Sequence, residues 1–206
     1  MNSSTETILK QAADKQRIVV TGSRGTTTLA AMLIHVLNYY KRPFDYSISA
    51  AGHGISETNR FSANAPLIII EADEHSMIEF GHHIGLITNI MWAESPEFPN
   101  AEEYVKRFDQ FADSTPKAGL LFYCENDPLA LLVGAKPRTD VLGVGYKIHP
   151  HTSEVGNHFI TSGKEKIPVN IFGSQNFQNI SGAKELLKRI GITADQFYKA
   201  LSTFPL

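Results

Sequence analysis

Short runs of apolar and β-branched residues alternate with amphipathic stretches through most of the chain. Continuous apolar runs predict strands buried on both faces, and apolar residues spaced three or four apart predict helices with one buried side. The predicted strands cover residues 18–21, 67–71, 84–88, 120–123 and 141–144, and the predicted helices cover residues 27–40, 102–112, 128–133, 176–190 and 194–204. This alternation is typical of a parallel sheet covered by helices.

The pattern changes after Gly145. Residues 146–172 carry glycine, histidine, threonine and lysine between alternating apolar positions, which predicts a small antiparallel patch with a turn at residues 162–164. We therefore expect an α/β protein: one three-layer α/β/α domain with a mainly parallel sheet and a small antiparallel appendage. Residues 1–17 are predicted to be a polar lead, and residues 18–206 to form the domain.

The segment between the first predicted strand and the first predicted helix looks like a phosphate-binding loop without its lysine. Glycines at positions 22 and 25 would let backbone N–H groups approach phosphate oxygens, and the start of the helix adds the positive end of its dipole. Thr26 occupies the lysine position, while Thr27 can supply a hydroxyl for Mg²⁺. The candidate phosphate-binding residues of this P-loop-like fold are Gly22, Ser23, Arg24, Gly25, Thr26, Thr27 and Thr28.

Two interpretations of Arg24 stay open at this point. Its guanidinium can replace the missing lysine, since arginine binds phosphate well, or it is a solvated loop arginine. The sequence alone does not separate these two roles.

Composition excludes several classes of function. Hydrophobic residues make up 42% of the chain and charged residues 19%, as in globular proteins, and a net charge of −2 gives no reason to expect a nucleic acid or a membrane as partner. Cys124 is the only cysteine and lies in an apolar run, which predicts a buried structural thiol. With no disulfide and no signal-peptide core, a cytoplasmic location is expected. The eight histidines lack the spacing of a zinc motif.

Four further segments make the loop signal more specific. They are Glu-Ala-Asp-Glu at residues 71–74, Ile-Thr-Asn-Ile at 87–90, Glu-Asn-Asp-Pro at 125–128, and a Gly-x-x-Asn-x-x-Asn element at 173–179. In this order, after the loop, they resemble the central ATPase domain of the Mur ligases, most closely the UDP-N-acetylmuramate–L-alanine ligases and the murein-peptide-recycling ligases. The resemblance runs from about residue 18 to residue 204. It implies ATP and Mg²⁺ as cofactors of an ADP-forming ligation in peptidoglycan synthesis or recycling.

The resemblance also implies roles for particular residues near the loop. Gly22, Gly25 and Thr27 match the family's phosphate loop. Glu71 stands where the family places a carboxylate on the catalytic magnesium, and Glu74 is a second candidate in the same acidic tract. A hydroxyl and a carboxylate are ligands that suit Mg²⁺.

Other positions depart from the family pattern. Asn176 and Asn179 fit the asparagines that contact adenine, but Gln175 replaces the histidine beside them. Glu94 stands in place of a histidine that serves the metal and substrate region, and Thr26 replaces the lysine. Positions that shape the backbone are kept and positions that touch phosphate, metal or base are changed, which favours a retained fold with weakened catalysis.

Two classes of function follow. The first is an ATP-binding Mur ligase middle domain, whose UDP-muramoyl substrate would be bound by N-terminal and C-terminal domains that these 206 residues lack; ligase activity is then not expected from the chain alone. The second is a non-catalytic pseudo-enzyme that binds a nucleotide, a genuine Mur ligase or another protein partner.

Overall fold

A seven-stranded sheet lies at the centre of the computed structural model, which describes residues 3–154 and 156–205. A separate three-stranded sheet and the helices surround it. The elements are α1 (Ser3–Gln11), β1 (Gln16–Thr21), α2 (Thr26–Tyr39), β2 (Asp45–Ser47), β3 (Asn59–Arg60), β4 (Leu67–Glu71), β5 (Ile84–Ile87), α3 (Ala101–Asp113), β6 (Leu120–Cys124), α4 (Pro128–Gly134), β7 (Leu142–Tyr146), β8 (His151–Glu154), β9 (Asn157–Ser162), β10 (Glu165–Val169), α5 (Ser174–Arg189) and α6 (Ala194–Leu201).

The main sheet is parallel except at one edge. Its strand order is β3-β2-β4-β1-β5-β6-β7, and only the β2–β3 pair is antiparallel. Strand β1 lies in the middle, with Val19 opposite Ile70 of β4 and Gly85 of β5. The carboxyl ends of the parallel strands therefore lie along the same end of the sheet, where the loop after β1 begins.

Helices cover both faces of this sheet, which confirms the predicted three layers. Ile18 and Val20 face one apolar core, formed with α2, α5 and α6, whereas Val19 faces the other, formed with α1 and α3. Successive residues of a strand point to opposite faces, so one continuous apolar run serves two cores. The antiparallel sheet, in the order β10-β9-β8, lies within the predicted appendage.

Helix α1 lies in the segment that the sequence marks as a polar lead. Its residues Ile8 and Leu9, and Ala12 just after it, pack against the second core, and Thr5 is buried. These four positions follow the i, i+3, i+4, i+7 spacing of a helix face, a short signal among polar neighbours. Strand β1 begins at Gln16, two residues before the expected domain start; the boundary at residue 18 stays a prediction.

The lone cysteine is buried, as the sequence predicts. Cys124 ends β6 and is fully buried, and burial raises the pKa of its thiol above the ordinary value. None of the helices in the described ranges is both long and apolar enough to cross a membrane.

His82 is a buried histidine whose neutral form the fold requires. Its ring lies 4.1 Å from that of Phe111, Nε2 is 2.8 Å from the Thr115 hydroxyl, and the buried Nδ1 has no partner among the described residues. Burial, followed by the charges of His83 and Arg17, lowers the pKa of His82 to about 3. In the unfolded chain this histidine titrates near pH 6.5.

We expect acid to destabilise the protein through His82. Between about pH 6.5 and pH 3 the unfolded state binds a proton that the folded state does not, so stability falls by about 1.4 kcal/mol per pH unit below 6.5. Urea denaturation at several pH values should show a shallower slope for His82→Gln than for wild type. Equal slopes for wild type and His82→Gln would contradict the assignment.

Candidate phosphate-binding site

The loop between β1 and α2 depends on two glycines. Gly22 and Gly25 adopt φ angles of 141° and 80°, and a Cβ on Gly22 would lie 2.0 Å from the Thr88 hydroxyl oxygen. Helix α2 begins directly after Gly25 and has no side-chain cap. The amides of its first turn, and with them the positive end of its dipole, are therefore open to an anion.

The segment after β5 holds the first half of the loop. The amides of Ser23 and Arg24 donate to the backbone oxygen and the side-chain Oδ1 of Asn89, at 3.1 and 3.0 Å. The Arg24 carbonyl accepts from the Thr88 hydroxyl at 2.8 Å and from the side-chain Nδ2 of Asn89 at 3.0 Å. Because these two loop N–H groups are bonded within the protein, the amides open to a phosphate are those at the start of α2.

The second half of the loop is held by α5. The Asn179 amide donates to the Gly25 carbonyl at 3.1 Å, and Gln175 bonds both to Asn179 at 3.3 Å and to Asn89 at 3.0 Å. Asn179 is fully buried in this network. Asn176 instead donates to the Phe172 carbonyl at 2.8 Å. Contact of the two asparagines with adenine stays a prediction, and in this arrangement both amides already have protein partners.

Glu71 at the end of β4 is bonded to the loop and to the segment after β2. Its Oε1 accepts from the hydroxyls of Thr26 at 2.8 Å and Thr27 at 2.6 Å. Its Oε2 accepts from both the amide and the hydroxyl of Ser49, each at 2.8 Å. The structure thus brings together the predicted magnesium residues Thr27 and Glu71, and it adds Ser49, which no sequence signal marks. The hydroxyl of Thr26, which stands in the lysine position, donates its hydrogen bond to this same carboxylate.

A cavity of about 460 Å³ opens beside Thr26 and Glu71. The carboxylates of Asp73, Glu74 and Glu79 also line it, so its charge is negative. Burial raises the pKa of Asp73, but hydrogen bonds from Ser76 and the nearby His75 outweigh burial and lower it, which keeps this carboxylate ionised. An anion in this cavity would need a cation to accompany it.

A second cavity, of about 420 Å³, lies on the other side of the loop and is lined by Ser23, Arg24, Trp92 and Tyr104 among others. The Ser23 hydroxyl accepts from the Met91 amide at 2.8 Å and lies 2.9 Å from the Tyr104 hydroxyl. Burial raises the pKa of Tyr104, and nearby Glu74 adds to this effect. Arg24 borders this cavity and Thr26 borders the first, so Arg24 and the lysine position line different cavities.

The remaining predicted residues take separate places. Glu74 borders both cavities, with Oε1 4.0 Å from the His75 ring, while Glu94 is exposed at the rim of the second. Thr28 is in the first turn of α2 but lines neither cavity. Trp92 donates from its indole N–H to the Phe98 carbonyl at 2.9 Å, a bond within its own loop.

A glycine loop between a central parallel strand and an uncapped helix, with a hydroxyl and a carboxylate meeting at its end, defines a phosphate-loop α/β domain. The sequence profile of the Mur ligase middle domain matches residues 20–187. The chain belongs to the Mur ligase middle domain family.

Related proteins agree with this assignment. The UDP-N-acetylmuramate–L-alanine ligase of Rhodococcus erythropolis is 32% identical over 135 residues, which cover 62% of this chain and 26% of that protein. The corresponding ligase of Mycolicibacterium smegmatis is 32% identical over 130 residues, again 62% and 26%. The chain therefore spans about a quarter of the length of these curated relatives.

Solved structures share the fold. The UDP-N-acetylmuramate:L-alanyl-gamma-D-glutamyl-meso-diaminopimelate ligase of Neisseria meningitides aligns with a TM-score of 0.79 and 17% identity, covering 98% of this chain and 69% of that one. The UDP-N-acetylmuramate-alanine ligase of Thermotoga maritima aligns with a TM-score of 0.75 and 20% identity, covering 98% and 47%. At these sequence identities the structural similarity shows only that the fold is shared.

Proposed function

We propose that this chain is a Mur ligase-type nucleotide domain that binds MgATP weakly and does not ligate by itself. One observation carries the proposal: Thr26 stands in the lysine position and its hydroxyl is bonded to Glu71 at 2.8 Å. A neutral hydroxyl in that place supplies no positive charge to the β- and γ-phosphates.

The residues present fit a magnesium ion better than they fit the triphosphate. Thr27 and Glu71 offer a hydroxyl and a carboxylate oxygen 2.6 Å apart, which is the oxygen chemistry that Mg²⁺ prefers. The open amides at the start of α2 suit a phosphate oxygen, but the nearby carboxylates repel one. Bound magnesium would supply the charge that lets a phosphate enter this negative cavity.

Ligation needs partners that would be held elsewhere. The related ligases named above are UDP-N-acetylmuramate–L-alanine ligases, and this chain spans about a quarter of their length. Positioning two substrates next to each other provides much of the rate in such a reaction. We infer a relation to peptidoglycan precursor ligation, with UDP-muramoyl substrate and amino acid bound by segments other than the described domain.

A non-catalytic binding module is the second candidate, and the state of Glu71 favours it. Each oxygen of this carboxylate already accepts two hydrogen bonds. Oε1 accepts from Thr26 and Thr27, and Oε2 accepts twice from Ser49. A metal ion at Glu71 has to displace some of these hydrogen bonds. In a domain that only binds a partner protein, all four bonds can remain.

Calorimetry with MgATP, Mg²⁺ alone and the variant Thr27→Val tests the proposal. We expect weak MgATP binding by wild type, loss of that binding in Thr27→Val, and no ADP release with UDP-N-acetylmuramate and L-alanine. Valine keeps the shape of threonine and removes the hydroxyl, so the comparison reports on the loop itself.

Each other outcome has a definite meaning. Amino-acid-dependent ADP formation by the purified chain would refute the absence of ligase activity. MgATP binding that Thr27→Val leaves unchanged would place the nucleotide elsewhere. Complete absence of binding would support the non-catalytic module.

A further inference from the structure

The two edges of the main sheet are protected very differently. Edge strand β3 has only two residues, Asn59 and Arg60, both polar. Edge strand β7 has five, Leu-Gly-Val-Gly-Tyr, with no charge and no proline, and in the described part of the chain it pairs only with β6. Proteins usually shorten, charge or cover an edge strand, because free backbone groups there are a template for another strand.

The bonds to β6 determine which groups of β7 face outward. Backbone groups of Asp140, Leu142 and Tyr146 bond toward the β6 side, at 2.7, 3.1 and 2.8 Å. Backbone groups alternate between the two sides of a strand, so those of Gly143 and Gly145 point away from the sheet. Glycine has no side chain to cover these groups, and Gly143 is exposed.

We propose that β7 pairs with β7 of a second copy of this chain, antiparallel about a twofold axis at Val144. In this register Gly143 lies opposite Gly145 of the second copy, and the two symmetric pairs exchange four backbone hydrogen bonds. The outward groups are thus self-complementary. Leu142, 46% exposed on its own, lies opposite Tyr146 of the second copy.

Charges at the ends of β7 also match those of a second copy. Asp140 precedes the strand and Lys147, whose side chain is 74% exposed, follows it, so antiparallel pairing brings each lysine next to the other copy's aspartate. Asp140 is bonded to Arg138, which also contacts the end of α3 at the Asp113 carbonyl. Lys147 pairs with Glu125 at 3.5 Å, on the face where Gly143 approaches α4. In this register each Lys147 lies opposite Val141 of the other copy, one residue from its Asp140, so opposite charges are neighbours along the paired strands.

Analytical ultracentrifugation of wild type and Gly143→Pro tests the pairing. Proline removes the outward N–H, keeps the bonds to β6 and is accepted on edge strands when that N–H faces solvent. Each dimer then loses two hydrogen bonds, so the dissociation constant is expected to rise about tenfold or more. The unfolding temperature of the monomer should stay near that of wild type.

Two exposed leucines provide a matched pair of further variants. Leu142→Lys places a charge on the proposed contact and should give a monomer. Leu132→Lys, on α4 and 65% exposed in wild type, should leave the dimer intact. Hydrogen exchange of wild type adds a readout without mutation: the Gly143 and Gly145 amides should exchange more slowly as the protein concentration rises.

Several results would overturn the proposal. Wild type that remains monomeric at the highest concentration, or a dimer that Gly143→Pro does not weaken, excludes β7 pairing. A dimer lost only in Leu132→Lys places the contact on α4 instead. Slow exchange of the two glycine amides at every concentration would mean that β7 already has a partner within its own chain.

Discussion

Lys15→Met is expected to lower the free energy of unfolding by about 3–5 kcal/mol. Lys15 donates to the fully buried carboxylate of Asp45 and, at 2.8 Å, to the Ser62 carbonyl. Asp45 also accepts from the amide and hydroxyl of Ser62, at 3.1 and 2.8 Å. Methionine fills similar space but leaves the buried Asp45 carboxylate without its cation. An uncompensated buried charge lowers the stability of the folded state strongly.

Urea denaturation at neutral pH measures this effect, with Lys10→Met as the matched control. Lys10 pairs with Glu6 at 3.1 Å, but their side chains are 74% and 58% exposed, so its loss should cost less than about 1 kcal/mol. Adding Asp45→Asn to Lys15→Met should recover part of the stability, because it removes the uncompensated charge. Equal losses in the free energy of unfolding for Lys15→Met and Lys10→Met would show that the buried Lys15–Asp45 pair stabilises the fold no more than an exposed ion pair does.

Thr26→Lys is expected to tighten MgATP binding roughly ten- to a hundredfold. A charged hydrogen bond contributes about 1.5–3 kcal/mol, which corresponds to that factor in affinity. Position 26 borders the cavity beside Glu71, where a lysine would meet the phosphates and offset the carboxylates around them. Calorimetric titration of wild type and variant gives the ratio directly.

Thr28→Lys is the control for this second prediction. It adds the same charge to the first turn of α2, but position 28 lines neither cavity, so a smaller change is expected. If wild type already binds MgATP tightly and Thr26→Lys adds nothing, another group holds the phosphates. Arg24→Ala would then show whether that group is Arg24.

The sequence predicts the layers of the fold because apolar runs mark the inner strands. Residues 67–71 and 84–88 are long enough and apolar enough to be recognised, and they become β4 and β5. Strands β2 and β3 are missed, since Asp-Tyr-Ser and Asn-Arg are short and polar. Asp45 is buried there only because Lys15 and Ser62 satisfy its charge, which is a tertiary effect.

The site is predicted in part for the same reason. Glycines and hydroxyls at fixed spacing identify the loop, and an acid at the end of a strand identifies Glu71. Ser49 and Asn89 bond to the loop or its carboxylate only because their strands end at the same edge of the sheet. No local pattern marks Ser49, whereas Asn89 lies in the Ile-Thr-Asn-Ile segment at residues 87–90, directly after a predicted strand. The use of Gln175 and Asn179 inside the protein likewise depends on the packing of α5.

The hydrogen bonds of α5 also bear on local unfolding. Asn179 reaches the Gly25 carbonyl across 154 residues of chain, and Gln175 joins the same network through Asn89. The loop and the first turns of α5 should therefore open together, as one cooperative unit, rather than fray separately. Exchange of the Arg24 amide would then report the opening of a helix near the other end of the sequence, and any partner that steadies α5 would steady the loop.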